Sequence, residues 1–177
     1  DYETALLHLN KAVSAYEELN FNRWIDEYGL DPKARSVNYV GQVQAYLGSL
    51  DQGIETLRQS MAYTESLESP YELNFLHACS AITHFYLNNL DEVKKHSESS
   101  LEISLEKNLP WTKGTALIFA GWSDHRQNKP GSFEQIVSGL DQINSYGSTS
   151  FDSAGHWWLA YLDAAIHAHQ YDVAMEK

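Results

Sequence analysis

The sequence has little of what covalent, nucleotide or zinc-dependent chemistry needs. It contains a single cysteine, Cys79, so it cannot form an internal disulfide or a thiolate cluster for zinc. It has no G-x-x-x-x-G-K-[ST] or G-x-G-x-x-G pattern, whose glycines would let backbone amides cradle a phosphate. It also lacks the G-x-S-x-G pattern of a nucleophile elbow. We therefore expect no catalytic residue, no cofactor and no enzymatic activity in this chain.

Basic residues and long apolar runs are scarce as well. There are 12 Lys and Arg against 24 Asp and Glu, which gives a formal net charge of −12. A nucleic-acid-binding protein needs a basic face for phosphates, and so does a protein that docks on anionic lipid. No apolar run approaches the roughly 20 residues of a membrane-spanning helix. We expect a cytoplasmic protein that binds neither nucleic acid nor membrane, and the lack of disulfides fits that compartment.

The sequence is rich in small and apolar residues at helical spacing. In the stretch 32–67, Ala34, Val37 and Gly41 recur at intervals of three and four, which indicates a helix. A tight turn around Gly48 joins this helix to a second one. Gly41 and Gly53 place small residues where the two helices could pack closely. The stretch therefore predicts an antiparallel helix hairpin.

Looser copies of this hairpin follow at a period of about 40 residues, the range typical of helical repeats. Small residues at the packing position, turn formers at the corner and prolines at the helix starts keep the same phase. These three sets are Gly41, Ala81 and Gly121; Gly48, Asn88 and Asn128; and Pro70 and Pro110. One hairpin cannot bury its apolar face alone, so neighbours should stack. We predict an all-α solenoid of about nine helices, a single domain over 1–177 with approximate repeats 1–30, 31–69, 70–109, 110–147 and 148–177.

The spacing of Gly41, Gly48 and Gly53 resembles the tetratricopeptide repeat (TPR), in a form longer than the usual period of about 34 residues. A second likeness extends over nearly the whole chain, and it is carried by motifs in a fixed order. They are Tyr28-Gly29-x-Asp31-Pro32, Tyr46-Leu47-Gly48, Pro70, Trp111, Gly121-Trp122, Gly139-Leu140 and Gly147. This order is similar to the TPR-like region of large bacterial signalling ATPases, where it follows an ATPase module and often a class III adenylyl/guanylyl cyclase domain.

The resemblance implies a right-handed solenoid that takes part in signal transduction without catalysing a reaction. Asp1 and Lys177 both stand in mid-pattern, so we expect a fragment of a longer protein whose other domains carry the ATPase or cyclase activity. In TPR folds the first helix of each pair lines a concave groove that binds a protein or peptide segment. Carrying that register over predicts the partner-binding residues Arg35, Asn38, Gln42, Tyr46, Tyr86, Trp122, His125 and Arg126. The alternative is that these side chains only pack the core.

Eight histidines raise the question of a metal site. His77 and His84 could share a helix face, but no H-E-x-x-H occurs, and no carboxylate at the right offset completes a ligand set on that helix. The series Glu98, Glu102 and Glu106 would need a second ligand-bearing face. We predict scattered structural or surface histidines and no metal site.

Three functions from different classes stay open. The leading one is a protein-interaction or self-association region of a multidomain bacterial signalling protein, with a protein segment, another domain of the same parent or a second copy in a homodimer as partner. The alternative is a small-molecule-sensing solenoid that controls an attached ATPase, cyclase or transcription-output domain. Its tryptophans Trp111, Trp122, Trp157 and Trp158 would suit a flat ligand such as a sugar. An independent helical enzyme is the weakest of the three.

Overall fold

The computed structural model describes residues 1–19, 25, 29–145 and 151–168, the side chains of 19 and 151–154 excepted. Within these ranges the chain forms eight helices and no strand, so the all-α prediction is confirmed. The helices are α1 Tyr2–Leu19, α2 Pro32–Tyr46, α3 Leu50–Ser66, α4 Pro70–Tyr86, α5 Leu90–Lys107, α6 Pro110–Arg126, α7 Ser132–Ser145 and α8 Phe151–His167. The predicted repeats 1–30 and 148–177 include residues 20–24, 26–28, 148–150 and 169–177, which lie outside the described residues. Among the described helices none has both the length and the apolar character to cross a membrane.

The helices end on a regular interval. A residue with positive φ follows each helix from α2 to α6, at steps of twenty residues: Gly48, Glu68, Asn88, Asn108 and Asn128. Glycine and asparagine tolerate this left-handed conformation best, which explains why they fill four of the five positions. The predicted 40-residue repeat is therefore two helix-and-turn units of twenty residues each. The backbone carries this period from α2 through α6.

Side-chain caps fix several helix starts. The carboxylate of Asp31 accepts a hydrogen bond of 2.7 Å from the backbone N–H of Ala34, and Pro32 stands at the first helical position. The Asn89 side chain caps α5 in the same way at 3.3 Å from the Glu92 N–H. A cap of this kind contributes about 1 kcal/mol because it satisfies one of the free N–H groups of the first turn. Asp31 and Pro32 together thus define the start of α2.

The chain divides into two compact units, residues 1–76 and 77–177, so that α4 contributes to both. In the first unit, α2 packs against α1 and α3. The approach of α2 to α3 is possible only with glycine: a Cβ atom on Gly53 would lie 2.7 Å from the backbone oxygen of Gly41 and from the backbone nitrogen of Ala45. The close-packing role predicted for Gly41 and Gly53 is confirmed.

In the second unit, α6 is the central helix and packs against α5, α7 and α8. The side chains at its core are apolar and buried, and they include Ile118, Phe119, Trp122, Ile136, Ile143, Trp157 and Tyr161. A Cβ atom on Gly121 would lie 2.9 Å from both the Cγ1 atom of Ile136 and the backbone oxygen of Ser132. Gly121 thus faces α7 at close range, at the helix crossing predicted for it.

Replacing Gly121 with leucine should lower the free energy of unfolding by at least about 2 kcal/mol, because the new side chain would overpack the contact between α6 and α7. The matched control is Gly155→Ala on α8, where an added Cβ meets no atom within 4 Å. There alanine should raise stability by about 0.5 kcal/mol or leave it unchanged, since it has the higher helix propensity. Chemical denaturation measures both changes. A loss below about 0.5 kcal/mol for Gly121→Leu would contradict this packing.

Candidate functional site

The predicted partner-binding residues fall into two groups, one in each unit. Four lie on α2 in the first unit, and four lie on α4 and α6 in the second. The first group is Arg35, Asn38, Gln42 and Tyr46, and the second is Tyr86, Trp122, His125 and Arg126. The two groups are best understood separately, since each has its own set of contacts.

Arg35 is held by a buried carboxylate. Its Nη2 donates to Oε1 of Glu72 at 2.7 Å, and its Nε donates to both carboxylate oxygens at 3.2 Å. The guanidinium carbon also lies 4.1 Å from the centre of the Phe75 ring. The side chain of Glu72 is 0% exposed, and a buried carboxylate is stable only when it is paired. The first role of Arg35 is therefore to neutralise Glu72 and so join α2 to α4.

Asn38 and Gln42 lie in the interior. Gln42 Nε2 donates to Asn38 Oδ1 at 2.7 Å, as expected for side chains four residues apart on a helix. Tyr46 lies nearer the surface, and its ring packs against that of Tyr2 at 5.7 Å between centroids. The positions of Asn38 and Gln42 are explained by packing in the core, because buried side chains expose no surface to a partner. Their predicted role in binding stays a prediction, as does that of Tyr46.

In the second unit, the carboxylate of Asp163 accepts hydrogen bonds from two of the predicted residues. Trp122 is buried, and its Nε1 donates to Asp163 Oδ2 at 2.7 Å. Arg126 Nη1 donates to both oxygens of Asp163 at 3.1 and 3.3 Å. The side chains of Arg126 and Asp163 remain 31% and 40% exposed. Asp163 therefore ties α6 to α8 and leaves a charged pair partly open to solvent.

Tyr86 extends the same row of side chains to α4. Its hydroxyl lies 3.0 Å from Nδ1 of His156 on α8, and the side chain is 43% exposed. The neighbouring Phe85 packs against the buried Trp122, with 4.8 Å between the two ring centroids. We call this row the first-helix face, because α4, α6 and α8, each the first helix of a predicted hairpin, contribute to it. It consists of Tyr86, Trp122, Arg126, His156 and Asp163.

His125 lies to one side of the first-helix face. Its Nδ1 is 3.1 Å from the Ser132 hydroxyl, and its ring contacts Phe133 and His167. Burial, and then the neighbouring His167, lower the pKa of His125. Burial also lowers the pKa of His156. Both imidazoles are therefore neutral near pH 7, and Arg126 is the positive charge of this region.

Asp163 is the residue of this face that sequence reasoning missed. The only carboxylate between residues 155 and 168, it interrupts an otherwise apolar stretch, Trp157-Trp158-Leu159-Ala160-Tyr161-Leu162. A carboxylate in such a stretch is seldom buried without a partner. With Arg126 on the preceding first helix, Asp163 forms a sequence pattern that predicts an ion pair between the two helices.

A second arrangement, which we call the histidine cluster, joins α4 to α5. It consists of His77 and His84 on α4 and Glu92 and His96 on α5. The Nδ1 atoms of His77 and His96 lie 2.9 Å apart, and Nε2 of His96 lies 3.5 Å from Oε2 of Glu92. The rings of His84 and His96 stack at 5.7 Å with an interplanar angle of 8°. The prediction of scattered histidines is therefore wrong for these three.

The cluster was missed because its ligands were sought on one helix. His84 lies four residues before Asn88, the turn residue, and Glu92 lies four residues after it. In an antiparallel hairpin, residues equidistant from the turn lie opposite each other. His96 follows Glu92 by four residues and so shares its face. The predicted hairpin and this symmetry about the turn, taken together, would have predicted that Glu92 lies close to the histidines.

Burial sets the charge of the histidine cluster. Desolvation lowers the pKa of His77 to about 4. It lowers that of His96 to about 3, with the neighbouring His77 and His84 adding to the effect. The pKa of His84 is lowered by burial too, and a hydrogen bond from Lys95 lowers that of Glu92. Near pH 7 the cluster thus holds three neutral imidazoles and one carboxylate.

No protein-family model, curated protein or solved structure matches this chain. The likeness to TPR-like regions of signalling ATPases accordingly stays a prediction. The described part of the chain supports the broader statement that this is an all-helical, repeat-like protein.

Removing the guanidinium of Arg35 should destabilise the protein, because it leaves Glu72 charged and buried. We expect Arg35→Met to lower the free energy of unfolding by about 2 kcal/mol, less than for a fully buried pair because Arg35 is one-third exposed. The double variant Arg35→Met/Glu72→Leu removes both charges and should recover most of the loss. Urea denaturation measures the three proteins side by side. Equal stability of the single and double variants would show that the buried charge is not the cause.

Proposed function

We propose that this chain is a TPR-like α-solenoid that binds a protein or peptide segment and does not itself catalyse a reaction. The observation that carries the proposal is the first-helix face of the second unit. Three successive first helices, α4, α6 and α8, contribute to it a tyrosine, an arginine and an aspartate that are all partly exposed. Tyrosine and arginine are enriched among residues that dominate binding energy, since each combines a large contact area with polar atoms.

The contacts of Arg126 support a binding role over a purely structural one. Arg126 donates to Asp163 through Nη1. A guanidinium has five N–H donors in a planar fork, so the pair with Asp163 uses only part of its capacity to donate hydrogen bonds. Asp163 is fixed in turn by the indole N–H of Trp122. A guanidinium held in one orientation loses little entropy when a partner carbonyl or carboxylate docks on it. The face is therefore preorganised for a polar peptide segment.

The twenty-residue period and the glycine contacts between paired helices support the solenoid part of the proposal. Its right-handed form, a cytoplasmic location and a parent with ATPase or cyclase domains rest on the resemblance to TPR-like regions of bacterial signalling proteins. In such a parent the bound segment would belong to another domain of the same chain, to a second copy or to a separate protein. Burial of Trp122 and Trp157 weighs against the metabolite-sensing alternative, which needs tryptophans open to a flat ligand.

The binding proposal can be tested without knowing the natural partner, by selecting peptides from a random displayed library on the whole chain. Peptides selected on the parent should lose affinity at least about ten-fold for Tyr86→Ala and for Arg126→Ala, as expected when hot-spot residues are truncated. The matched controls are Tyr71→Ala and Arg58→Ala, which remove exposed residues of the same types from outside the face. Both controls should bind as the parent does.

Because the net charge is −12, we also expect the selected peptides to be rich in basic residues and their association to slow as salt rises. Thermal denaturation of each variant serves as the folding control. Peptides that bind the Tyr86 and Arg126 variants as tightly as the parent would refute the assignment of the face. If these variants lost several kcal/mol of stability, the two residues would be core residues.

A further inference from the structure

We propose that His84, Glu92 and His96 form a binding site for one divalent transition-metal ion of the Zn²⁺ class, and that His77 positions the ring of His96. One candidate ligand atom from each of the three residues lies within 4.8 Å of the other two. The site lies across the turn between α4 and α5 and contributes nothing to the first-helix face. It is therefore independent of the peptide-binding proposal.

One of the three ligand-to-ligand distances already suits coordination. A metal ion about 2.0–2.1 Å from a nitrogen and an oxygen in tetrahedral geometry holds those two atoms about 3.4 Å apart. Nε2 of His96 and Oε2 of Glu92 lie at 3.5 Å. That separation is long for a hydrogen bond between these groups and close to the spacing of two ligands on one ion. The ligand atom of His84 lies within 4.8 Å of both, and a side-chain rotation that closes this gap would place it at the third position.

His84 supplies a second, independent observation. It is 6% exposed, and its Nδ1 atom is buried with no hydrogen-bond partner among the described residues. A buried polar atom of this kind costs free energy unless something binds it. The contacts that join His77, His96 and Glu92 leave this nitrogen unused. A metal ion bound by the cluster would give His84 a partner.

The contact between His77 and His96 also fits a metal site. The two Nδ1 atoms lie 2.9 Å apart, so one of them must carry the proton. If His96 binds the ion through Nε2, its Nδ1 carries that proton and donates it to His77. Metal-bound histidines usually donate their second ring N–H to a neighbour in this way, which fixes both tautomer and orientation. His77 is thus a positioning residue rather than a ligand.

The donor set selects the class of ion. Two imidazole nitrogens and one carboxylate oxygen suit Zn²⁺ and its neighbours Co²⁺ and Ni²⁺, whereas Mg²⁺ and Ca²⁺ prefer oxygen ligands throughout. Metal binding requires unprotonated ligands, so affinity should fall as the pH is lowered. Three protein ligands leave one position of a tetrahedral ion for water or a further ligand.

The test uses the whole chain, freed of metal with a chelator and then titrated with Zn²⁺, Co²⁺ and Mg²⁺. We expect one Zn²⁺ per chain by calorimetry and a rise in melting temperature of at least about 5 °C at saturating ion. Bound Co²⁺ should show the strong visible absorption of a tetrahedral site. Mg²⁺ should have no effect. Weak binding of several ions per chain, without tetrahedral Co²⁺ absorption, would overturn the proposal.

Substitutions separate this site from adventitious binding at surface histidines. Glu92→Gln and His84→Asn should each weaken Zn²⁺ binding at least about ten-fold, within the range for losing a ligand or its support. The controls are Glu98→Gln, an exposed glutamate on the same helix, and His167→Gln, an exposed histidine elsewhere in the unit. Both should bind as the parent does. Equal loss in the controls, or no loss in Glu92→Gln, would refute the ligand assignment.

The role of His77 is tested by a pair of variants. In His77→Asn the amide oxygen can still accept a hydrogen bond from the Nδ1–H of His96, whereas the side chain of His77→Leu offers no acceptor. We expect the leucine variant to bind Zn²⁺ about ten- to 100-fold more weakly and to change the Co²⁺ spectrum. The asparagine variant should keep the spectrum of the parent. If both variants kept parental spectra and affinities, His77 would have no positioning role.

Discussion

The contact that the rest of the structure depends on is the approach of paired helices at positions that have no side chain. Backbone oxygens of one helix lie where the Cβ atoms of the other would be, at Gly41 and Gly53 between α2 and α3 and at Gly114 and Gly139 between α6 and α7. A buried apolar position accepts several side chains of similar volume, whereas a contact between helices this close accepts only glycine. It fixes the separation and the rotation of each pair. The outward-facing residues of the first helices are placed as a consequence.

Ion pairs set the next level of order, between one hairpin and the next. Arg35 on α2 bonds to Glu72 on α4 in the first unit, and Arg126 on α6 bonds to Asp163 on α8 in the second. Both pairs join consecutive first helices. Apolar contact along a helix face is nondirectional, whereas hydrogen-bonded ion pairs have a required geometry, most of all the Arg35–Glu72 pair, in which two guanidinium nitrogens bond to one carboxylate. These pairs therefore select one alignment among the many that apolar packing would allow.

The fold was largely readable from the sequence, whereas the sites were not. Helix starts followed from Pro70 and Pro110, and helix pairing followed from Gly41, Gly53 and Gly121, because each of these residues acts through its own backbone. The site residues depend on partners in distant segments. Arg126 was predicted as a partner contact without Asp163, and His77 and His84 were judged without His96 and Glu92, since their meeting depends on how whole helices pair. A pattern along one helix cannot contain that information.

The even spacing of the positive-φ residues constrains how many residues each helix-and-turn unit can have. The glycines likewise constrain the size of the side chain at each helix crossing. From Gly48 to Asn108, each positive-φ residue is followed two positions later by the first residue of the next helix, and after Asn128 helix α7 begins four positions later, at Ser132. One residue added within a helix would rotate everything after it by about 100° about the helix axis, because an α-helix has 3.6 residues per turn. Such an insertion before Gly121 in α6 would turn that glycine away from α7 and present a side chain there instead. Natural variants of this region should therefore gain or lose length in whole helix-and-turn units, and single-residue insertions should be confined to the turns.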